Sequence, residues 1–188
     1  MIKRLLEIIF ALFFIIILIV PLIVIYISIK ISTRDTPIFW SKRVGKDNKI
    51  FHMPKFRTMK KDTPIIATHL ISNPREKITG IGFFLRKYSL DEIPQIFSII
   101  RGDLSFVGPR PALFNQSDLI QLRTRKNIHK IKPGITGWAQ VNGRDRLSIE
   151  KKVEYDDFYC KQRKSIFFDL YIIYLTFIQI IKKSDISH

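Results

Sequence analysis

The 188-residue chain has a single cysteine, Cys160, which excludes an internal disulfide and suits a reducing compartment. Histidine is nearly as scarce. The four, at positions 52, 69, 129 and 188, are too dispersed for a structural zinc site when no cysteine cluster accompanies them. Acidic residues are also in short supply, 16 against 32 lysines and arginines, leaving a formal charge of +16. Such an excess calls for an anionic partner: nucleic acid, acidic lipid headgroups or phosphorylated substrates. No recognised nucleic-acid motif is present and the basic residues are spread along the chain, which argues against the first of these. There is no internal repeat, and no low-complexity tract beyond one apolar run. The length allows one modest domain plus an anchor.

That apolar run is what the chain has in abundance. From Ile8 to Ile27 twenty residues carry no charge, enough at about 1.5 Å per helical residue to match a hydrocarbon core. It is too long for a cleaved signal peptide and is followed by no small-residue cleavage site. Pro21 lies within it, where a helical hydrogen bond is lost and a kink is invited. Both flanks are basic, with Lys3 and Arg4 before and Lys30, Arg34, Lys42 and Arg43 after. A spanning helix usually shows one basic side, so matched flanks predict a helix–break–helix that enters and leaves by one face. A straight span with a tolerated proline is the alternative.

Beyond the anchor, Pro37–Val44 and Lys49–Met59 are β-prone and meet at a Gly45-Lys46-Asp47-Asn48 turn, predicting a hairpin. Residues 60–79 read as loop with room for a short helix. Ile81–Tyr88 leads into Ser89-Leu90-Asp91-Glu92-Ile93-Pro94-Gln95, whose helix should continue through Ile100 and end at Gly102-Asp103. Residues 113–130 form a basic amphipathic pattern and Ser148–Tyr159 a further helix. Ile166–Ile181 is apolar but short for a span, so a core or interfacial helix is expected. The fold class is therefore mainly α with a small β-hairpin (α+β), attached to the membrane from one side.

Ser89 and Glu92 have capping-box spacing, although Pro94 fits a helix better if Asp91 is the N-cap. In either register Asp91 and Glu92 lie at the positive end of the helix dipole, which favours ionised carboxylates. Ordinary capping explains such acids when the heptapeptide is taken alone. In Ser105-Phe106-Val107-Gly108-Pro109-Arg110-Pro111 two prolines flank one arginine, giving either a rigid phosphate clamp or a plain connector. Lys132–Arg144 holds three glycines between basic ends, a pattern that allows close backbone approach to a ligand. Trp138 within it is either a packing anchor or a contact.

These stretches, taken in order with Lys55-Phe56-Arg57-Thr58-Met59, Tyr155-Asp156 with Tyr159, and Asp169-Leu170 before a basic tail, resemble the bacterial sugar transferases, the monotopic phosphoglycosyl transferases. The resemblance covers essentially the whole chain and rests on the ordered set of motifs. It implies a membrane-anchoring re-entrant hairpin over 1–34 and a catalytic domain over 35–188 on the cytosolic face of the bacterial inner membrane. The implied substrates are a UDP-sugar donor and undecaprenyl phosphate as acceptor. Asp91 would attack the sugar-bearing phosphorus, expel UMP and pass the phosphosugar to the lipid, with Mg²⁺ held by Asp91 and Glu92. Lys55, Arg57, Arg86, Arg110, Pro111, Arg144 and Asp156 are the implied substrate-binding residues. Departures are Val20-Pro21 in place of Ser-Pro, which removes a hydroxyl able to bond a freed carbonyl, and Ser98 and Leu104 at positions away from the chemistry. Two rivals compete with this reading: a Mg²⁺-dependent phosphohydrolase built on the same acidic pair, and a membrane-tethered nucleic-acid binder.

Overall fold

The computed structural model describes residues 2–66, 72–162 and 165–182; His69, His188 and Lys183 of the closing basic tail lie outside them. Helix α1 (Ile2–Thr33) runs for 32 residues, about 48 Å at the helical rise. It is long and apolar enough to cross a membrane. The expected break at Pro21 is not an interruption of the helix, which continues through the proline. One lost ladder bond is tolerated where apolar neighbours offer the backbone no other partners.

Helix α1 lies along the rest of the molecule instead of standing away from it. Ala11 packs in a core with Phe51, Met53, Ile96, Ile99 and Leu104, with Ile15 and Leu18 beside it. Further along, Leu22, Ile25 and Ile29 pack with Phe56 and Leu85. These positions recur every three or four residues, so one stripe of the helix is covered. The opposite side stays bare, as at Ile16, 73% exposed. Polar groups fix the first turns: Arg4 Nη2 donates to the carbonyls of Ile99 and Ile100 at 2.7 and 3.1 Å. Glu7 accepts from Ser105 Oγ, and Lys3 pairs with Asp169.

Strands β1 (Ile38–Val44) and β2 (Ile50–Phe56) form the expected antiparallel hairpin, in register from Ile38↔Phe56 to Val44↔Ile50. Then come the four-residue helix α2 (Pro74–Lys77), α3 (Gly80–Lys87), a 3₁₀ turn over Leu90–Gln95, and α4 (Ile96–Arg101), which stops at left-handed Gly102. A short parallel pair, β3 (Ser105–Val107) with β4 (Gly134–Thr136), was not expected. It depends on glycine, because a Cβ on Gly134 would sit 2.1 Å from the Gly108 nitrogen and one on Gly137 the same distance from the Gly108 oxygen.

Helix α5 covers only Ser117–Arg125 of the predicted 113–130. Leu113 instead bridges Arg43 of β1, and the other end is cut by left-handed Asn127 before a 3₁₀ turn. Helices α6 (Trp138–Val141), α7 (Ile149–Gln162) and α8 (Ile166–Lys182) complete the chain. In α8, Asp169, Ile172, Thr176 and Gln179 face inward, and Gln179 donates to the Val141 carbonyl. Its other side is bare and aromatic, with Phe167 84% exposed. That is the one-sided pattern of an interfacial helix.

The glycine crossing carries a prediction. Gly134→Ala forces backbone apart at the β3–β4 pair and should cost about 1–3 kcal/mol. In detergent its Tm should fall by several degrees; an unchanged Tm would mean that the crossing is not tight.

Candidate active site

The 3₁₀ turn over Leu90–Gln95 brings both carboxylates to one cleft. Ser89 adopts left-handed backbone (φ 55°, ψ 22°) and its side chain caps nothing, so the capping box does not form. Its carbonyl accepts the Glu92 N–H at 3.2 Å instead. The 3₁₀ geometry also accommodates Pro94, which is buried with Gln95.

The two acids have opposite surroundings. Glu92 Oε1 accepts from Lys55 Nζ at 2.8 Å and from Arg110 Nη2 at 2.7 Å, and Arg144 Nη2 lies 3.6 Å away. Burial alone would raise its pKa, but Arg110, Lys55 and Arg144 outweigh burial and hold the carboxyl well below its usual range. Asp91 forms no hydrogen bond or ion pair with any described residue. Burial pushes its carboxyl up, with Lys55 the main opposing influence. The helix start therefore does not lower the Asp91 pKa as expected: desolvation outweighs the dipole of one short turn.

The cleft has a volume of about 600 Å³. Lys55, Arg57, Arg86, Asp91, Glu92, Arg110, Pro111 and Arg144 all line it. They come from β2 and the residue that follows it, α3, the 3₁₀ turn, the loop after β3 and a further 3₁₀ turn at Arg144–Arg146. Arg57 is engaged at its edge, donating Nε to the Thr36 carbonyl and Nη2 to Thr36 Oγ1, both at 2.8 Å. Arg144 adopts a left-handed backbone (φ 48°) after Gly143, a strained conformation of the kind often kept at functional sites.

Asp156 is not on the cleft, contrary to expectation. It is 1% exposed, and its Oδ2 accepts from Arg123 Nε and Nη2 at 3.0 and 2.6 Å. Arg123 Nη1 in turn donates to the Arg110 carbonyl at 2.7 Å. Asp156 therefore supports the backbone of Arg110 from behind. From the other side, Val44 N–H donates to the Ala112 carbonyl at 2.9 Å and Arg43 Nη1 to that of Pro111 at 3.1 Å. The Pro-Arg-Pro segment is thus held on both flanks. Trp138 is a packing anchor, its ring 5.1 Å from that of Phe168 and 6.0 Å from that of Phe158. In the sequence Arg43 reads as a flanking charge and Arg123 as a helix-face charge. Their places depend on long-range pairings that no local pattern encodes.

The described residues contain no group of three or more His, Cys, Asp or Glu able to hold a metal alone. Mg²⁺ needs only one or two carboxylates when substrate phosphates complete its shell. Asp91, with uncommitted oxygens, fits that role. Glu92 Oε1 is already taken by Lys55 and Arg110, and Arg110 Nη1 lies 3.5 Å from its Oε2, so Glu92 is better suited to orienting these cations than to holding the metal.

The chain matches, over residues 1–183, the family described as bacterial sugar transferase. It is 38% identical over 177 residues to the uncharacterized sugar transferase EpsL of Bacillus subtilis, covering 93% of this chain and 85% of that protein. It is 37% identical over 185 residues to the UDP-glucose:undecaprenyl-phosphate glucose-1-phosphate transferase of Escherichia coli, covering 94% of this chain but 39% of that one. With the UDP-N-acetylgalactosamine-undecaprenyl-phosphate N-acetylgalactosaminephosphotransferase of Aeromonas hydrophila it shares 31% identity over 181 residues, 93% of this chain and 42% of the other. The chain thus spans about two fifths of these two larger relatives.

The contrast between the acids predicts opposite effects on stability. The lowered pKa of Glu92 means that its carboxylate stabilises the fold above its ordinary value of 4.5, and that this contribution is lost on acidification through the lower folded value. Glu92→Gln should destabilise by about 3–5 kcal/mol at neutral pH, leaving three cations together. The fall in Tm on acidification below about pH 4.5 should then be shallower than in the wild type. Asp91 has the reverse sign: its raised pKa costs stability as pH rises from its ordinary 3.8 through the folded value. Asp91→Asn should raise Tm at neutral pH. A drop in Tm for Asp91→Asn would show that its carboxylate has a stabilising partner.

Proposed function

The chain belongs to the bacterial sugar transferase family, and from that premise we propose that it transfers a sugar 1-phosphate from a UDP-sugar to undecaprenyl phosphate through a covalent Asp91 intermediate. The observation that carries this reading is the division of labour between the acids. Glu92 takes up the cations, and Asp91 is left uncommitted among basic side chains. A carboxylate so placed is suited to nucleophilic catalysis.

In the first half-reaction an Asp91 oxygen bonds to the sugar-bearing phosphorus, the bond from that phosphorus to the bridging oxygen breaks, and UMP leaves with the electron pair. In the second, a phosphate oxygen of the lipid bonds to the same phosphorus and the Asp91 carboxylate is released. Phosphoryl transfer asks mainly for positioning and charge neutralisation. Arg110 presents a planar fork whose backbone is fixed by Pro109, Pro111 and Arg123. Lys55, Arg86 and Arg144 add positive charge around it. Mg²⁺, when bound at Asp91, supplies further neutralisation of the phosphate oxygens. The names of the two larger relatives share UDP and undecaprenyl phosphate and differ in the sugar, glucose or N-acetylgalactosamine. The nucleotide and lipid are therefore the common parts of the proposal.

We place the catalytic domain on the cytosolic face of the inner membrane, where nucleotide sugars are made. Lys3 and Arg4 at one end of α1 and Ile29 at the other touch the same domain. A helix standing across a bilayer would hold its ends about 30 Å or more apart on opposite sides. One lying along the domain with its bare side in lipid keeps both ends on one face.

The activity is tested by incubating purified protein with undecaprenyl phosphate and a panel of UDP-sugars. UMP should appear together with lipid-linked phosphosugar, and Asp91→Asn should yield neither. Release of free sugar phosphate without lipid would make the protein a hydrolase. For topology, Ile2→Cys and Arg34→Cys, each with Cys160→Ser, should resist a membrane-impermeant thiol reagent in intact cells until the inner membrane is opened. Labelling of position 2 from outside would mean that α1 spans.

A further inference from the structure

Several basic side chains line the cleft, but their charges are not equally matched. Lys55, Arg110 and Arg144 share Glu92. Arg43 does not. It stands near the end of β1, half-buried against the Pro-Arg-Pro segment. Its Nε donates to Ser41 Oγ at 2.9 Å and its Nη1 to the Pro111 carbonyl at 3.1 Å. Both acceptors are neutral. Among the described residues no carboxylate comes within 4.0 Å of it, and Glu92 and Asp145 act on it only from farther away.

The guanidinium is therefore fixed in direction, oriented by two neutral acceptors, and only distantly compensated. Burial, reinforced by neighbouring Arg110, pulls its pKa down to about 10, so it still carries its charge at neutral pH. A desolvated cation beside another cation is unfavourable until an anion arrives. Arg43 lines the same cleft as Asp91. An arginine fork held in this way matches the oxygens of a phosphate.

We propose that Arg43 is a phosphate ligand of this cleft, pre-oriented by Ser41 and Pro111 and, among the described residues, with no carboxylate within salt-bridge distance. The inference rests on the function proposed above. Phosphate reaches the cleft from two sources, the nucleotide and the lipid carrier, and the chemistry of recognition is common to both. A role confined to stapling Pro111 to β1 is the competing explanation, and it makes different predictions: glutamine, whose amide nitrogen reaches only as far as Nε, can keep the bond to Ser41 Oγ but loses both the staple to Pro111 and the charge, so a pure staple predicts a lower Tm with phosphate binding intact.

The test uses the full chain in detergent or nanodiscs, as wild type, Arg43→Gln and Arg43→Lys. UMP affinity is measured by calorimetry, the KM for undecaprenyl phosphate by turnover, and Tm for each protein. Loss of one charge-assisted hydrogen bond to phosphate corresponds to about a tenfold or greater weakening. Arg43→Gln should weaken UMP binding by that factor, and Arg43→Lys should recover part of it. A rise confined to the KM for the lipid, with UMP binding intact and Tm unchanged, would also support the proposal and assign the phosphate to the carrier. Two results would overturn it: UMP affinity and lipid KM both within twofold of wild type in Arg43→Gln, or a loss that tracks a lower Tm and that lysine does not relieve. The calorimetric arm needs no turnover. A wild type that binds UMP but transfers nothing would therefore refute the proposed activity without deciding against Arg43.

Discussion

Glu92, buried between Lys55, Arg110 and Arg144, is the interaction on which the rest of the site depends. These cations come from β2, from the loop after β3 and from the 3₁₀ turn after α6. Without a shared anion they would repel one another in a partly desolvated cleft. Glu92 lets them converge, and so fixes the relative positions of segments far apart in sequence. Lys55, Arg110 and Arg144 are paired with Glu92, whereas Asp91 has no hydrogen bond or ion pair among the described residues and its burial is costly for the fold.

Around that cluster the scaffold restrains the chain at the points where it borders the cleft. Arg110 is fixed by two prolines, by Arg123 on its carbonyl and by the strand pairing of Val44 with Ala112. Arg123 is in turn held by buried Asp156. The crossing of Gly108 with Gly134 and Gly137 brings β3 against β4 and sets the loop that leads to Arg144. Helix α1 and the bare side of α8 form an apolar periphery, and the polar ties of Lys3, Arg4 and Glu7 keep the first of these seated on the domain. The same packing that builds the core therefore seats α1 on the domain that carries the charged cleft.

Much of this was legible in the sequence where the signal was local. The hairpin turn at Gly45–Asn48, the termination of α4 at Gly102 and the one-sided helix α8 each follow from turn chemistry or periodicity. The acidic pair and most of the basic residues of the cleft were recognisable from ordered motifs. What was not legible was long-range. The β3–β4 pairing is only three residues long, too short to show alternation. Asp156 looked like a ligand because it lies in a recognisable motif, yet α7 turns it inward to Arg123. The capping box at Ser89 and the break at Pro21 were correct local inferences overridden by context: a 3₁₀ turn in one case, and in the other a helix with few competing partners for its backbone.

The central claim is that Asp91 carries the phosphosugar between two separate displacements, and it is tested most directly by isotope exchange. Protein is incubated with a UDP-sugar and radiolabelled UMP in the complete absence of polyprenyl phosphate. A covalent intermediate that forms reversibly predicts label moving into the UDP-sugar with the wild type and none with Asp91→Asn. If the wild type completes transfer when lipid is supplied but exchanges no label without it, the two substrates react directly with each other and the account of Asp91 is wrong.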